Sequence, residues 1–194
     1  MYGAPQPAAP KSSSSLVLFI VLGVIGVLVV GGIFLVILGI FGVRRYIANA
    51  KTTEAIANVS LIASDAQAEF AKPAYGGYAF GSSHRLCRSA SQPVPASISQ
   101  VSGKKYMSSA SDWDLDRSTN AGFYCLKFEV FSPQYYQYDY RITGTGSGMG
   151  DSFTAEAHGD LDGDGRASTF RVVGTVDGPS TLRLDPLMQT DPSE

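Results

Sequence analysis

The chain has 194 residues, of which 44% are hydrophobic, and its 15 Lys and Arg against 17 Asp and Glu leave a formal charge of −2. The first 43 residues carry only Lys11, so Arg44 to Glu194 holds 14 positive and 17 negative side chains, a net of −3. That balance argues against a nucleic-acid partner, which asks for a basic face to neutralise phosphates. Once the apolar N-terminal part is set aside, about 120 residues remain, enough for one hydrophobic core and too few for two.

The first 15 residues, MYGAPQPAAPKSSSS, are rich in Pro, Ala and Ser. They lack the apolar periodicity that would offset the entropy of ordering, so residues 1–15 are expected to be a disordered tail. From Leu16 to Val43 no side chain is charged or strongly polar. As a helix this run reaches roughly 42 Å, against a hydrocarbon layer of about 30 Å, so residues 16–43 are expected to span a membrane once. Ala48-Asn49-Ala50 offers a small-x-small cleavage pattern. The apolar run nevertheless exceeds the roughly 7 to 15 residues of a signal-peptide core, and Arg44 and Arg45 flank it as they would a retained anchor. Gly23, Gly26, Gly31, Gly32 and Gly39 would allow close contact with another helix.

Beyond the arginines, Ala55, Val59, Ile62, Ala66 and Phe70 recur at spacings of three and four, with Asn58, Ser60, Gln67 and Lys72 between them. This predicts an amphipathic continuation of the helix over 44–72, ending before Pro73 and Gly76-Gly77, for a helical length of roughly 85 Å from Leu16. Residues 73–120 show no persistent period and read as a loop region. The two cysteines, Cys87 and Cys125, form an even pair, as a disulfide in an exported domain would, with free buried thiols as the alternative. They favour an extracytoplasmic C-terminal domain, although Arg44, Arg45 and Lys51 against Lys11 and the terminal amine would by charge count hold that side in the cytoplasm.

Residues 121–186 read as an antiparallel β-domain of four or five strands, with Phe123–Phe131, Gln134–Thr143, Ser152–Ala157, Ser168–Val176 and Thr181–Leu184 as candidates and 187–194 as a tail. Tyr136, Tyr138 and Tyr140 alternate onto one face and are expected in the core. The fold class expected is therefore α+β, with a long N-terminal helix packed on the sheet. Asp160-Leu161-Asp162-Gly163-Asp164-Gly165 matches the first half of a calcium loop, in which alternate carboxylates converge on the cation. Arg171 stands where the closing Glu would be, so Asp151 or Glu156 would have to add a ligand. A solvated Asp/Gly turn between strands explains the same residues. His84 and His158 have no metal-ligand spacing, and neither a nucleophile elbow nor a phosphate loop occurs, so no catalytic residue is assigned and the chain reads as a non-enzyme.

An apolar helix running into an amphipathic one through Ala48-Asn49-Ala50-Lys51-Thr52-Thr53-Glu54-Ala55, followed by a β-domain with a cystine, resembles a type IV pilin or pilin-like protein. Asn120-Ala121-Gly122-Phe123-Tyr124-Cys125-Leu126-Lys127-Phe128-Glu129, Ser132-Pro133-Gln134-Tyr135-Tyr136, and Gly159 to Gly165 with Ser168-Thr169-Phe170 are similar to globular domains that some Gram-negative bacteria attach to pilin helices. The resemblance implies a single-pass protein of the inner membrane with its domain outside the cytoplasm, and other pilin subunits as partners in a surface or secretion filament. The family's processing glycine and the glutamate near the start of its mature helix have no counterpart here, because Lys11 and four serines lead into Leu16 and the first acidic residue is Glu54. A permanently anchored binding module for calcium, a glycan or a protein is the alternative.

Overall fold

The computed structural model describes residues 14–72 and 84–192; the turn expected at Pro73 and Gly76-Gly77 and the tail up to residue 13 lie outside them. Helix α1 spans Ser14–Phe70, so Ser14 and Ser15 are helical and the helix runs through Ala48-Asn49-Ala50 without a break. The chain divides into two units, Met1–Tyr46 and Ile47–Glu194.

In the first unit, Leu18–Ile40 is a helical stretch of mean hydropathy 3.1 and is long and apolar enough to cross a membrane. Its side chains are exposed throughout, as Phe19 at 73% and Val27 at 73% illustrate, so no protein core accounts for their apolar character. An added Cβ at Gly23, Gly26, Gly31, Gly32 or Gly39 would meet nothing within 4 Å. Packing among the described residues therefore places no demand on those glycines.

The second unit is α+β. Its antiparallel sheet has the order β1 (Gln137–Thr143), β2 (Ser152–Gly159), β3 (Ser168–Gly178), β4 (Thr181–Leu184), and β5 (Met188–Thr190) joins β3 alongside β4. Period two governs the strands: Phe153, Ala155, Ala157, Phe170, Val172 and Val176 are buried, while Thr154, Glu156, Arg171 and Thr175 alternate outward. Against this face lies the stripe of α1 at period 3.6, with Ala55, Val59, Ile62 and Ala66 at 0% exposure and Phe70 at 1%. Tyr136, Tyr138 and Tyr140 are all fully buried in the same core, as their alternation predicts. Close approach makes room for rings in two places: a Cβ on Gly159 would fall 2.4 Å from the Tyr136 ring and one on Gly174 2.2 Å from Phe153.

The segment Phe123–Phe131 is not a strand. Gly122–Leu126 forms a short helix, α3, and Lys127 then takes a left-handed φ of 60°. Phe123, Leu126 and Phe128 all turn inward, and Trp113 packs edge-on against Phe123 at 5.0 Å and Phe128 at 5.3 Å. Tyr124, Leu126, Phe128 and Val130 alternate as a strand would, whereas Phe123 and Leu126 share one helical face, and the aromatic cluster decides between them. Gly122 permits the entry turn, since its φ is 53° and a Cβ would lie 2.7 Å from Ala90 Cα.

The expected loop region holds helix α2 (Ala110–Trp113) and two 3-10 turns at Ile98–Gln100 and Arg117–Thr119. Residues 86–94 run beside β1: Ala90 N donates to Tyr140 O at 2.9 Å, and Val94 and Tyr138 exchange backbone bonds at 2.9 and 2.8 Å. Cys87 and Cys125 form a disulfide that ties this segment to α3, with Cα atoms 5.9 Å apart. Such a crosslink typically contributes about 2 to 4 kcal/mol. The expected tail contains β5, whose three residues are too few to show a period.

A polar chain also joins helix to sheet. Asn58 Nδ2 donates to the Tyr138 hydroxyl at 2.7 Å, and that hydroxyl donates to Glu54 Oε1 at 3.1 Å, which also accepts the Tyr135 amide at 2.9 Å. Burial raises the Glu54 carboxyl above its ordinary value of 4.5, against the pull of the Tyr135 amide, the Tyr138 hydroxyl and Lys105. A raised acid pKa means that the folded state holds the proton more firmly, so stability from Glu54 falls as pH rises from 4.5 through the folded value. Glu54→Gln keeps the acceptor and removes the ionisation; it is expected to be at least as stable as wild type at pH 7, with the difference vanishing below pH 4. Tyr138→Phe is expected to lose about 1 to 3 kcal/mol, because two half-buried groups lose a partner. Denaturant unfolding at several pH values checks both.

Candidate functional site

The Asp160-Leu161-Asp162-Gly163-Asp164-Gly165 loop closes the hairpin between β2 and β3. Asp160 is buried at 4% exposure. Its Oδ2 accepts from the Ser102 hydroxyl at 2.6 Å and the Gly165 amide at 3.1 Å, and its Oδ1 from the Gly163 amide at 2.7 Å. Its carbonyl accepts the Gly103 amide at 2.8 Å, which fastens the hairpin to the turn after Ile98–Gln100. The Ser102 bond and the two amides hold the Asp160 carboxyl below its ordinary value despite burial.

Asp162 and Asp164 are exposed, and each accepts one backbone amide, from Asp164 at 3.1 Å and Arg166 at 2.7 Å respectively. One oxygen from each of the three carboxylates lies within 4.8 Å of the others, close enough to share a cation. Calcium takes six to eight oxygens at about 2.3 to 2.6 Å, so this trio would supply no more than half its shell. Neither suggested fourth ligand is placed to help. Asp151 precedes β2 and Asp160 follows it, which separates them by roughly 30 Å of strand. Glu156 pairs on the outer sheet face with Arg171 and with His158, the latter at 3.2 Å. The hydrogen bonds account for the loop as an Asp-organised turn.

Asp151 does comparable work elsewhere. Its Oδ2 collects the amides of Thr145, Gly146, Ser147 and Gly148 at 2.7 to 3.1 Å and the Thr145 hydroxyl at 2.9 Å. The Gly148 amide leads the interactions that lower its pKa. The Gly-rich run Thr143 to Gly150 followed by Asp was the sequence signal for this carboxylate-filled nest, and sequence reading missed it.

Both histidines have ordinary partners. His84 Nδ1 lies 2.8 Å from the Phe70 carbonyl at the end of α1, and His158 Nδ1 lies 3.1 Å from Thr169 Oγ1. Two open grooves of about 300 Å³ occur among the described residues. One, beside the disulfide, is bordered by Glu69, Lys72, Arg85 and Arg88; the other is bordered by Trp113, Asp114, Tyr124 and Lys127.

No protein-family model, curated protein or solved structure matches this chain.

If Asp160 organises the turn, Asp160→Ala is expected to cost about 3 kcal/mol in metal-free buffer, whereas Asp162→Ala changes stability little. Because the folded pKa is depressed, the Asp160 contribution is present above 3.8 and fades as pH falls through the lower folded value. Thermal unfolding in a chelator checks this; indifference to Asp160→Ala there, with a calcium-dependent rise in Tm that Asp162→Ala abolishes, would assign the loop to a cation instead.

Proposed function

We propose that this chain is a pilin-like structural protein, anchored in the inner membrane by its apolar helix and carrying a non-enzymatic extracytoplasmic domain, which serves as a major or minor subunit of a type IV pilus or a related surface or secretion filament. The observation that carries the reading is the make-up of α1. One helix contains a wholly exposed apolar stretch of 23 residues, and its last turns form the buried spine of an antiparallel sheet. A helix built only as a tether would not also supply the core of the domain it carries.

Three further features support it. The disulfide suits an oxidising compartment. Gly23, Gly26, Gly31, Gly32 and Gly39 are under no packing demand among the described residues, which leaves them for contacts between anchors, where small residues let backbones approach. The acidic balance of residues 44–194 and the apolar helix make the partners proposed a membrane and other pilin subunits, with no nucleic acid.

Shearing cells and collecting the released filaments by centrifugation is expected to recover the full domain with its apolar helix in the pellet. The mass of the recovered chain then fixes its mature N-terminus. Recovery only from membranes, as a monomer, would overturn the subunit role and leave the anchored binding module.

A further inference from the structure

On the domain surface around Tyr135, cations and apolar side chains that would ordinarily be kept apart occur together. The Lys51 ammonium lies 4.4 Å from the centre of the Tyr135 ring and that of Lys105 lies 5.1 Å from it. Lys104 immediately precedes Lys105 and is exposed. None of these three lysines comes within ion-pair distance of a described carboxylate, although the Glu54 carboxyl under the Tyr135 amide is near enough to feel the charge of Lys105, in a unit whose sequence has more acidic than basic groups.

The neighbouring ribbon adds the apolar part. Tyr106 and Gln134 exchange backbone bonds at 2.9 and 2.8 Å, and the Ser108 hydroxyl donates to Val130 O at 3.1 Å, so residues 106–108 run beside residues 130–134. Gln134 and Ser108 turn inward from this ribbon, whereas Phe131 is 78% and Met107 61% exposed. Phe131 is the most exposed aromatic residue among the described residues of this unit.

Lysines with long apolar stems around an aromatic ring, next to an exposed Phe and Met, suit the boundary between lipid headgroups and acyl chains. There ammonium groups meet lipid phosphates while the apolar tips enter below them. Chain connectivity supplies the remaining argument. Lys51 follows Val43, the last residue of the apolar run, by eight residues, which even fully extended reach no more than about 29 Å. Arg44 and Arg45 occupy the interval, so the basic character continues toward the end of the apolar run. Glu54, which accepts the Tyr135 amide at 2.9 Å, is the carboxylate beside the ring.

We propose that the surface formed by Lys51, Lys104, Lys105, Met107 and Phe131 docks the domain onto the anionic lipid headgroups of the membrane in which the chain is anchored. This rests on the anchored reading above. Each lysine near such a surface adds on the order of 1 kcal/mol of attraction, which falls off within a Debye length of about 8 Å at physiological salt. Three lysines on a tethered domain suffice to favour the docked state, because the anchor has already met the entropic cost of bringing the two together.

Lysine acylation read by mass spectrometry tests it, using the full chain in nanodiscs of phosphatidylcholine with or without phosphatidylglycerol. Labelling of Lys104 and Lys105 is expected to fall at least about threefold with the anionic lipid and to recover in 0.5 M NaCl, as the screening length shrinks to a few ångströms. Lys72 stands 21 residues beyond Lys51, some 30 Å farther along, and with Lys127 serves as the control whose labelling stays constant. Phe131→Ser is expected to weaken the protection without changing incorporation into the disc. Equal labelling in the two lipids overturns the docking surface, and so does protection that follows protein concentration rather than lipid charge, which would signal a second copy. Failure of the chain to remain in the discs would instead overturn the anchor itself.

Discussion

The domain depends on one contact, the burial of a single face of α1 beneath the tyrosine-bearing side of the sheet. One face of the sheet is apolar and must be covered to leave water, and here the cover comes from residues 55 to 70 of a helix that begins far upstream. Val59, Ile62 and Phe70 alone are worth about 1.5 to 3 kcal/mol each when withdrawn from solvent. Burial is non-directional, however, and does not select a register. The run from Asn58 through the Tyr138 hydroxyl to Glu54 does, because those three groups find partners only when the helix stands at one rotation and one height. Gln67, donating to Leu182 O at 3.3 Å, repeats the device nearer the helix end.

The parts of this fold that were legible in the sequence are those with a sustained period. The apolar run, the stripe from Ala55 to Phe70 and the alternating tyrosines each repeat often enough that tertiary context had nothing to override. The segment from Phe123 to Phe131 was misread because its apolar residues satisfy two periods at once. Only the position of Trp113, ten residues upstream, selects the helical turn. Strand β5 was invisible because three residues carry no pattern, and it exists by pairing with Thr169–Arg171.

The candidate sites follow the same division. Asp160, Asp162 and Asp164 announce themselves by spacing, but spacing does not say whether a carboxylate faces a cation or its own backbone. The buried Ser102 bond to Asp160, 58 residues away in sequence, is what distinguishes them. Glu54 and Asp151 carry no spacing that announces a role. Their roles depend on amides and hydroxyls brought near by folding. The two lysines over Tyr135 were likewise out of reach, since Lys51 and Lys105 come from separate parts of the chain and meet only on the folded surface.

The borders of the sheet have a consequence of their own. On one side, β1 is lined by residues 86–94, which take up its backbone groups and are fixed by the cystine. On the other, the long strand β3 is faced by two fragments, β4 and β5, interrupted at Asp185-Pro186-Leu187, and the Leu182 carbonyl on the first is occupied by Gln67. A foreign strand therefore finds no long, flat row of vacant amides and carbonyls on which to extend the sheet. The described sheet is thereby protected from the indiscriminate backbone zippering that turns crowded β-proteins into aggregates.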